Sequence, residues 1–336
     1  MRALTAIAIA VLGACSTSSQ TFTNVPPSAS VTSSAAPTAQ TAPAGTTSTA
    51  PVWSRIPDIP TPRSEVGAAA IDNTILVIGG SGGPRTVERY DIAARSWRRE
   101  PDLPVAVDHP MAAAVTTGSR AGVYVMGGYS NGPPIARAFH LARGASAWRE
   151  IAAMPEARAA AAAVAIGERI YVVGGATGQG LALATLEYDT TADRWTQKAV
   201  IPTRRDHLAA AALDGRACAV GGRELSLTRN LAALECYDPA RDTWERMPAA
   251  PTARGGVGAA VVGTRLIFVG GERPEGTFKE VEIFDSASKS WTKGPDLPTP
   301  RHGIGVVAVG DTVYVLSGGP TPGGSQTAVC EALTLR

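Results

Sequence analysis

Residues 75–80 read ILVIGG, and a short apolar run followed by paired glycines returns five more times along the chain. The further copies are VYVMGG (123–128), IYVVGG (170–175), CAVGG (218–222), LIFVGG (266–271) and VYVLSGG (313–319). The intervals between their first glycines are 48, 47, 47, 49 and 48 residues. Six copies at a nearly constant period indicate a repeat architecture in which each unit is one supersecondary structure.

Each unit contains four short segments with strand character. An Ala/Gly/Val-rich segment precedes the glycine strand, and a segment with an aromatic residue and Asp follows it, as in VERYD (87–91). A segment with a central Trp, such as RSWRR (95–99), ends the unit before a Pro-rich link. Gly, Pro, Asn and Asp mark the turns. Four antiparallel strands repeated six times predict an all-β fold, a six-bladed β-propeller.

The paired glycines, the following aromatic residue and the later Trp also resemble the Kelch repeat. The resemblance covers about residues 51–336, and two units depart from it. Unit two has Phe139-His140 in place of an aromatic residue followed by Asp, and unit six has Cys330-Glu331-Ala332. The resemblance implies a propeller whose glycines and aromatic residues are mainly structural.

The tryptophans predict how the ring closes. Five Trp segments follow the first five glycine pairs, but the chain ends at Arg336, before a sixth could occur. Trp53, in PVWSRIPDIPTPR (51–63), stands alone before the first unit. We therefore expect the segment around Trp53 to be the outer strand of the last blade.

The N-terminal segment has the composition of an export signal. Arg2, an apolar run and small residues before Cys15 predict a signal peptide over residues 1–14. Leu12-Gly13-Ala14-Cys15 resembles the lipobox of bacterial lipoproteins, which implies lipidation of Cys15; the alternative is an ordinary signal peptide. Residues 15–50, rich in Ser, Thr, Ala and Pro, are expected to be a disordered tether to a propeller over residues 51–336. The prediction is a protein anchored by its lipid alone, at the periplasmic face of the outer membrane or the cell surface.

Charge and cysteine content narrow the partners. The formal net charge is +2, and no Lys/Arg cluster interleaved with aromatic residues occurs, so we expect no nucleic-acid partner. Cys218 and Cys236 fall on adjacent predicted strands and could form a disulfide in an oxidising compartment. The alternative is that these two and Cys330 are all small buried residues.

An arginine recurs at one place in five of the six units. It lies 16 residues before the first residue of the paired-glycine site, at Arg63, Arg158, Arg205, Arg254 and Arg301. One interpretation is a ring at the channel mouth that binds carboxylates or phosphates, as in some Kelch propellers. The other is a structural pairing with the Glu of the aromatic strand, at Glu88, Glu187, Glu235, Glu282 and Glu331. Unit two lacks both residues, which favours the pairing.

Other charged residues are weaker candidates. Arg223 and Glu224, just after a glycine pair, are the best placed for binding a sugar, with solvated loop charges as the alternative. His109, His207 and His302 lie near the inner strands of alternate units, but they precede the glycines by 18, 14 and 16 residues. Because these registers differ, we expect no metal centre, no other cofactor and no catalytic residue.

Two functions follow from these residues and the resemblance. The first is a binding module for a protein segment or glycan, possibly acidic, at the loop face that bears the arginines. The alternative is a carbohydrate mutarotase or epimerase working in the channel, similar to the sialic-acid mutarotases among Kelch-type propellers. Unpaired Arg and Glu side chains in a deep pocket would favour the enzyme, and closed Arg–Glu pairs would favour the binding module.

Overall fold

The computed structural model describes residues 50–335, and its regular secondary structure there consists entirely of β-strands. Within this range no helix is long and apolar enough to span a membrane. The predicted signal peptide, Cys15 and nearly all of the predicted tether lie outside the described residues.

Strand β1 (Val52–Arg55) precedes the first three blades. Blade one contains β2 (Gly67–Ile71), β3 (Thr74–Ile78), β4 (Val87–Asp91) and β5 (Ser96–Arg99). Blade two contains β6 (Met111–Val115), β7 (Gly122–Met126), β8 (Ala138–Ala142) and β9 (Arg149–Ile151). Blade three contains β10 (Ala162–Ile166), β11 (Arg169–Val173), the ribbon strands β12 (Ala176–Thr177) and β13 (Gly180–Leu181), then β14 (Ala184–Asp189) and β15 (Arg194–Val200).

The last three blades repeat this order. Blade four contains β16 (Ala209–Leu213), β17 (Arg216–Val220), β18 (Leu234–Asp238) and β19 (Thr243–Met247). Blade five contains β20 (Gly258–Val262), β21 (Arg265–Val269), the ribbon strands β22 (Glu272–Arg273) and β23 (Gly276–Thr277), then β24 (Val281–Asp285) and β25 (Ser290–Lys293). Blade six contains β26 (Gly305–Val309), β27 (Thr312–Leu316), β28 (Cys330–Thr334) and the N-terminal strand β1.

Strand β1 closes the ring, as the sequence predicts. It pairs antiparallel with β28, and Trp53 lies opposite Leu333. The indole of Trp53 donates a hydrogen bond to the Pro295 carbonyl in the link that leaves blade five, at 3.0 Å. The Trp97 indole makes the equivalent bond to Pro57, at 2.8 Å. The first ordered residues therefore complete the last blade, and the six-bladed propeller is confirmed.

The first glycine of each pair permits close contact between neighbouring blades. Gly127 has a φ of +59°, in the left-handed region that favours glycine. A Cβ there would lie 2.3 Å from the Arg158 carbonyl oxygen of the next blade. The following residue, Gly128, donates its N–H to that same oxygen, at 2.8 Å. The glycine signature thus lets each blade bond to the link that opens its neighbour.

The cysteines divide between a disulfide and a free thiol. Cys218 on β17 lies directly opposite Cys236 on β18, and the two form a disulfide. Cys330 is a buried free cysteine, and burial raises the pKa of its thiol to about 11. The structure therefore contains the disulfide that the sequence left open.

Candidate functional site

One face of the propeller gathers the connections that follow the paired glycines and the links that enter each blade. We call it the loop face, and the opening of the central channel on this face the channel mouth. In four blades the inner strand and the glycine strand are joined on the opposite face by a two-residue turn, as between Ile71 and Thr74. Irregular segments on a rigid scaffold are where binding residues concentrate, so the loop face is the candidate functional surface.

The five recurring arginines lie beneath this face and are completely buried. Four of them pair with the Glu of the aromatic strand that the sequence predicts. The shortest N–O distances are 2.7 Å in Arg63–Glu88, 2.6 Å in Arg205–Glu235, 3.0 Å in Arg254–Glu282 and 2.5 Å in Arg301–Glu331. These arginines also donate to backbone carbonyls of their own blade, as Arg301 does to Ser317 and Val315. This placement favours the structural interpretation over contact with a ligand.

Arg158 departs from the predicted pairing. Its guanidinium contacts Glu156 at 2.9 Å, whereas Glu187 pairs with Arg169 and Lys198. Glu156 occupies the position where other blades have a Thr that donates to the partner Glu, as Thr203 does to Glu235. The expected Arg158–Glu187 pair is therefore corrected to Arg158–Glu156.

Arg223 and Glu224 have separate partners. Arg223 is largely buried at the channel mouth and pairs with Glu272 at 2.7 Å, with Asp206 at 3.9 Å. Glu224 forms an ion pair with Arg229 in its own loop. Neither residue is brought together with the five arginines into one charged pocket.

A ring of backbone hydrogen bonds narrows the channel mouth. At the second residue after the arginine position, each blade bonds to its neighbour, and the equivalent residues are Glu65, His109, Ala160, His207, Gly256 and Gly303. The N–H of His109 donates to the carbonyl of Glu65 at 3.1 Å, and that of His207 donates to Ala160 at 2.8 Å. The series continues through blades five and six and returns to blade one through Val66. Six blades thus place their equivalent residues around one opening.

His109 and His207 therefore occupy the same register, which corrects the sequence argument. The connection between β6 and β7 has six residues, whereas the one between β16 and β17 has two. These four extra residues account for the different spacings to the glycines. The two imidazole rings lie 4.8 Å apart and meet edge to face. His302 lies one residue earlier in its repeat and is fully buried.

Glu65 completes this cluster, although sequence reasoning did not single it out. Its Oε2 lies 3.2 Å from Nε2 of His109, and its Oε1 lies 3.4 Å from Nε2 of His302. The only sequence signal for Glu65 is its position two residues after Arg63, which becomes informative once the repeats are aligned by their links rather than by their glycines. We call Glu65, His109 and His207 the mouth cluster.

The charges of the mouth cluster influence one another. Burial opposes ionisation of Glu65, but the three neighbouring histidines bring the pKa of its carboxyl below its usual value. Burial also opposes protonation of His109, yet Glu65 and Asp108 raise its pKa. For His207, burial prevails over its hydrogen bond with Asp206 and lowers the pKa. The cluster thus favours an ionised Glu65 beside a protonated His109 and a neutral His207.

A groove opens on the loop face beside the mouth cluster, between blades one and two. Its cavity has a volume of about 450 Å³. We define the groove by the lining residues Gly80, Ser81, Gly82, Pro84, Ala106, Asp108, Tyr129, Asn131 and Gly132. The Tyr129 ring is half-buried and packs edge-on against His109, with ring centroids 5.4 Å apart. Asn131 is exposed at the rim. The groove thus combines an aromatic face with a carboxylate and an amide.

The shaft of the channel beyond the mouth has a different chemistry. A cavity of about 280 Å³ is lined by residues of the six inner strands, most of them alanines such as Ala68, Ala112 and Ala210. Within residues 50–335, no titratable side chain lines this cavity. Polar chemistry at the channel is therefore concentrated at its mouth.

Comparisons with known proteins agree with this architecture. The model of the KLHDC2/KLHL20/DRC7 Kelch-repeats domain matches residues 111–319, and the Kelch motif model matches residues 62–104. The solved structure of YjhT superposes with a TM-score of 0.72 at 15% sequence identity, covering 82% of this chain and 95% of that chain. At this identity the superposition shows a shared fold. No curated protein matches the sequence significantly.

Proposed function

Because the chain belongs to the Kelch-repeat family of β-propellers, we propose that it is a binding module that holds a glycan in the groove between blades one and two. The observation that carries this proposal is the convergence of Tyr129, Asp108 and Asn131 on one open cavity of the loop face. Sugars stack their apolar faces on aromatic rings, and their hydroxyls bond to carboxylates and amides. A volume of about 450 Å³ lies in the usual range for small-ligand pockets.

The buried arginines support a binding module over a mutarotase or epimerase. Four of the five close on their Glu partners, and the fifth closes on Glu156, which leaves none of these guanidiniums facing the channel. Acid–base chemistry on a sugar would need titratable groups within reach of it. The alanine-lined shaft offers none, so the enzyme alternative has less support than binding at the groove.

We further propose that the propeller is displayed outside the cytoplasmic membrane on a lipid anchor at Cys15. The support is the lipobox-like sequence before Cys15. The disulfide between Cys218 and Cys236 adds to it, because disulfides persist in oxidising compartments. Growth with labelled palmitate tests the anchor. Wild-type protein should take up label and Cys15→Ser should not, and equal labelling of the two would refute the anchor.

A glycan array probed with the fluorescently labelled protein tests the ligand class. The expected result is selective binding to a small group of related glycans. A protein that binds no glycan, but whose loop face captures an extended peptide in a peptide-display selection, would overturn the glycan proposal.

A further inference from the structure

We propose that the mouth cluster, Glu65, His109 and His207, binds one divalent transition-metal ion of the Zn²⁺ class. The inference is independent of the glycan proposal, since it concerns the centre of the channel mouth rather than the groove beside it. Two imidazole nitrogens and one carboxylate oxygen are a common protein ligand set for zinc, with a fourth position left open.

The spacing of the donor atoms fits a single ion. One ring nitrogen of each histidine and one carboxylate oxygen of Glu65 lie within 4.8 Å of one another. Ligands about 2.1 Å from a tetrahedral ion are separated from each other by about 3.4 Å. The 3.2 Å between Glu65 Oε2 and His109 Nε2 already has this spacing. A small movement of His207 toward the other two would complete the set.

Each histidine also has a carboxylate behind it. Asp206 accepts a hydrogen bond from Nδ1–H of His207 at 2.6 Å, which leaves Nε2 as the nitrogen with a free lone pair. Asp108 Oδ1 lies 3.1 Å from Nδ1 of His109, although neither atom makes a well-aligned hydrogen bond. Metal-binding histidines usually give their other N–H to such a carboxylate, which fixes the ring and strengthens the ligand. The same Asp-His pair thus serves blades two and four.

The backbone at the cluster is strained in a way that the fold does not require. Glu65, His109 and His207 have φ values of 53°, 54° and 51°, a region that costs non-glycine residues about 1–2 kcal/mol each. At the equivalent positions blades five and six have Gly256 and Gly303, which adopt this conformation freely. Three side chains are therefore kept where glycine would fit better, and such strain concentrates at functional sites.

A neighbouring group of possible ligands is already occupied. His302 has both ring nitrogens 3.0 Å from backbone carbonyl oxygens, those of Gly319 and Gly323. Glu272 is held by Arg223 and by the N–H of Gly323. By contrast, Nδ1 of His109 is buried without a hydrogen bond. The mouth cluster is consequently the better site.

The surroundings leave room for an ion and its remaining ligand. All three side chains line a cavity of about 80 Å³ at the channel mouth. A water needs roughly 10–15 Å³ of such volume, so an ion with one or two waters fits. Asp108 and Asp206 add negative charge that offsets the charge of a divalent ion.

The test uses glycine variants that should fold at least as well as the wild type. The full chain, carrying Cys15→Ser to remove that thiol and lacking a histidine tag, is titrated with Zn²⁺ by calorimetry. It is then titrated with Co²⁺ by visible absorption. Glu65→Gly and His207→Gly remove one ligand each and relieve the strained backbone. Ala160→Gly makes the same backbone change in blade three without touching the cluster.

We expect one ion per chain for the wild type and for Ala160→Gly, with the intense visible bands of four-coordinate Co²⁺. Each ligand variant should bind at least about 100-fold more weakly and lose those bands while keeping a cooperative thermal transition. The proposal is overturned if the wild type binds no stoichiometric Zn²⁺ or Co²⁺, or if the ligand variants bind as the wild type does. The three side chains would then be an ion-paired plug of the channel.

Discussion

The recurring arginines act as internal braces that tie each blade to the link before it. Arg205 is fully buried and donates to the Thr203 and Ala219 carbonyls as well as to Glu235. Burial lowers the pKa of its guanidinium, and Glu235 partly offsets this effect. A guanidinium suits this role because its fixed fork of N–H groups serves several acceptors at once.

Two of these arginines provide a matched comparison of buried charge. Glu235 is almost fully buried, whereas the side chain of Glu156 is 43% exposed. Arg205→Met should therefore leave a buried, unpaired carboxylate, while Arg158→Met leaves one that water can solvate. We expect Arg205→Met to lose about 2 kcal/mol more free energy of unfolding than Arg158→Met at neutral pH. Urea denaturation of both variants measures this difference.

The same comparison has a pH dependence. Burial opposes ionisation of Glu235, but Arg205 brings the pKa of its carboxyl below its usual value in the wild type. The wild-type pair therefore stabilises the fold above the unfolded pKa, and this contribution is lost as the pH falls through the lower folded pKa. In Arg205→Met the carboxyl is protonated more readily. The extra loss should shrink below about pH 4, and a loss that stays constant with pH would contradict a charge effect.

Individual residues also show where sequence reasoning reached its limit. The Arg–Glu pairs could be predicted because both members recur and are missing together in unit two. The shared register of His109 and His207 could not, because the longer connection between β6 and β7 shifts one spacing by four residues. Glu65 carries no motif of its own. Its importance arises from the closing of six blades around one opening.

At the scale of elements, β1 is the part of the fold on which ring closure depends. It supplies the outer strand of blade six, and Trp53 packs in the core cluster that includes Leu333 and Leu297. This closure was predictable from sequence, because a missing sixth Trp and a solitary first one can complete each other. The groove was not, since it is formed by two loops from different repeats.

Shortening the chain tests the closure directly. A chain that starts at Ser64 lacks β1 and Arg63 and should lose cooperative unfolding or melt far below the wild type. Trp53→Ala, which removes a half-buried indole, should cost about 2 kcal/mol. A chain that starts at Pro51 retains the strand and should melt like the wild type. Equal melting temperatures for the starts at Pro51 and Ser64, measured by circular dichroism, would contradict closure by β1.

For the whole molecule, the propeller separates support from recognition. Neighbouring inner strands pack around the channel from β2 through β26 and back to β2, which fixes the loops of all six blades in one frame. Blade two departs most from the repeat: it lacks the arginine, has the longer turn, and places Tyr129 after its glycines where blade three has Ala176. The candidate groove lies beside this irregular blade. Its location indicates that recognition arises where the repeat is broken.

The central claim is that ligand binds in the groove. Its most direct test is the affinity of Tyr129→Ala for the glycan that the wild type binds most tightly on the array, measured by calorimetry. Gln179→Ala, which changes an exposed residue in the equivalent loop of blade three, is the matched control. We predict that Tyr129→Ala retains the wild-type melting curve and loses affinity about tenfold or more, the equivalent of about 1.4 kcal/mol, while the control binds normally. Unchanged affinity in Tyr129→Ala would contradict the claim.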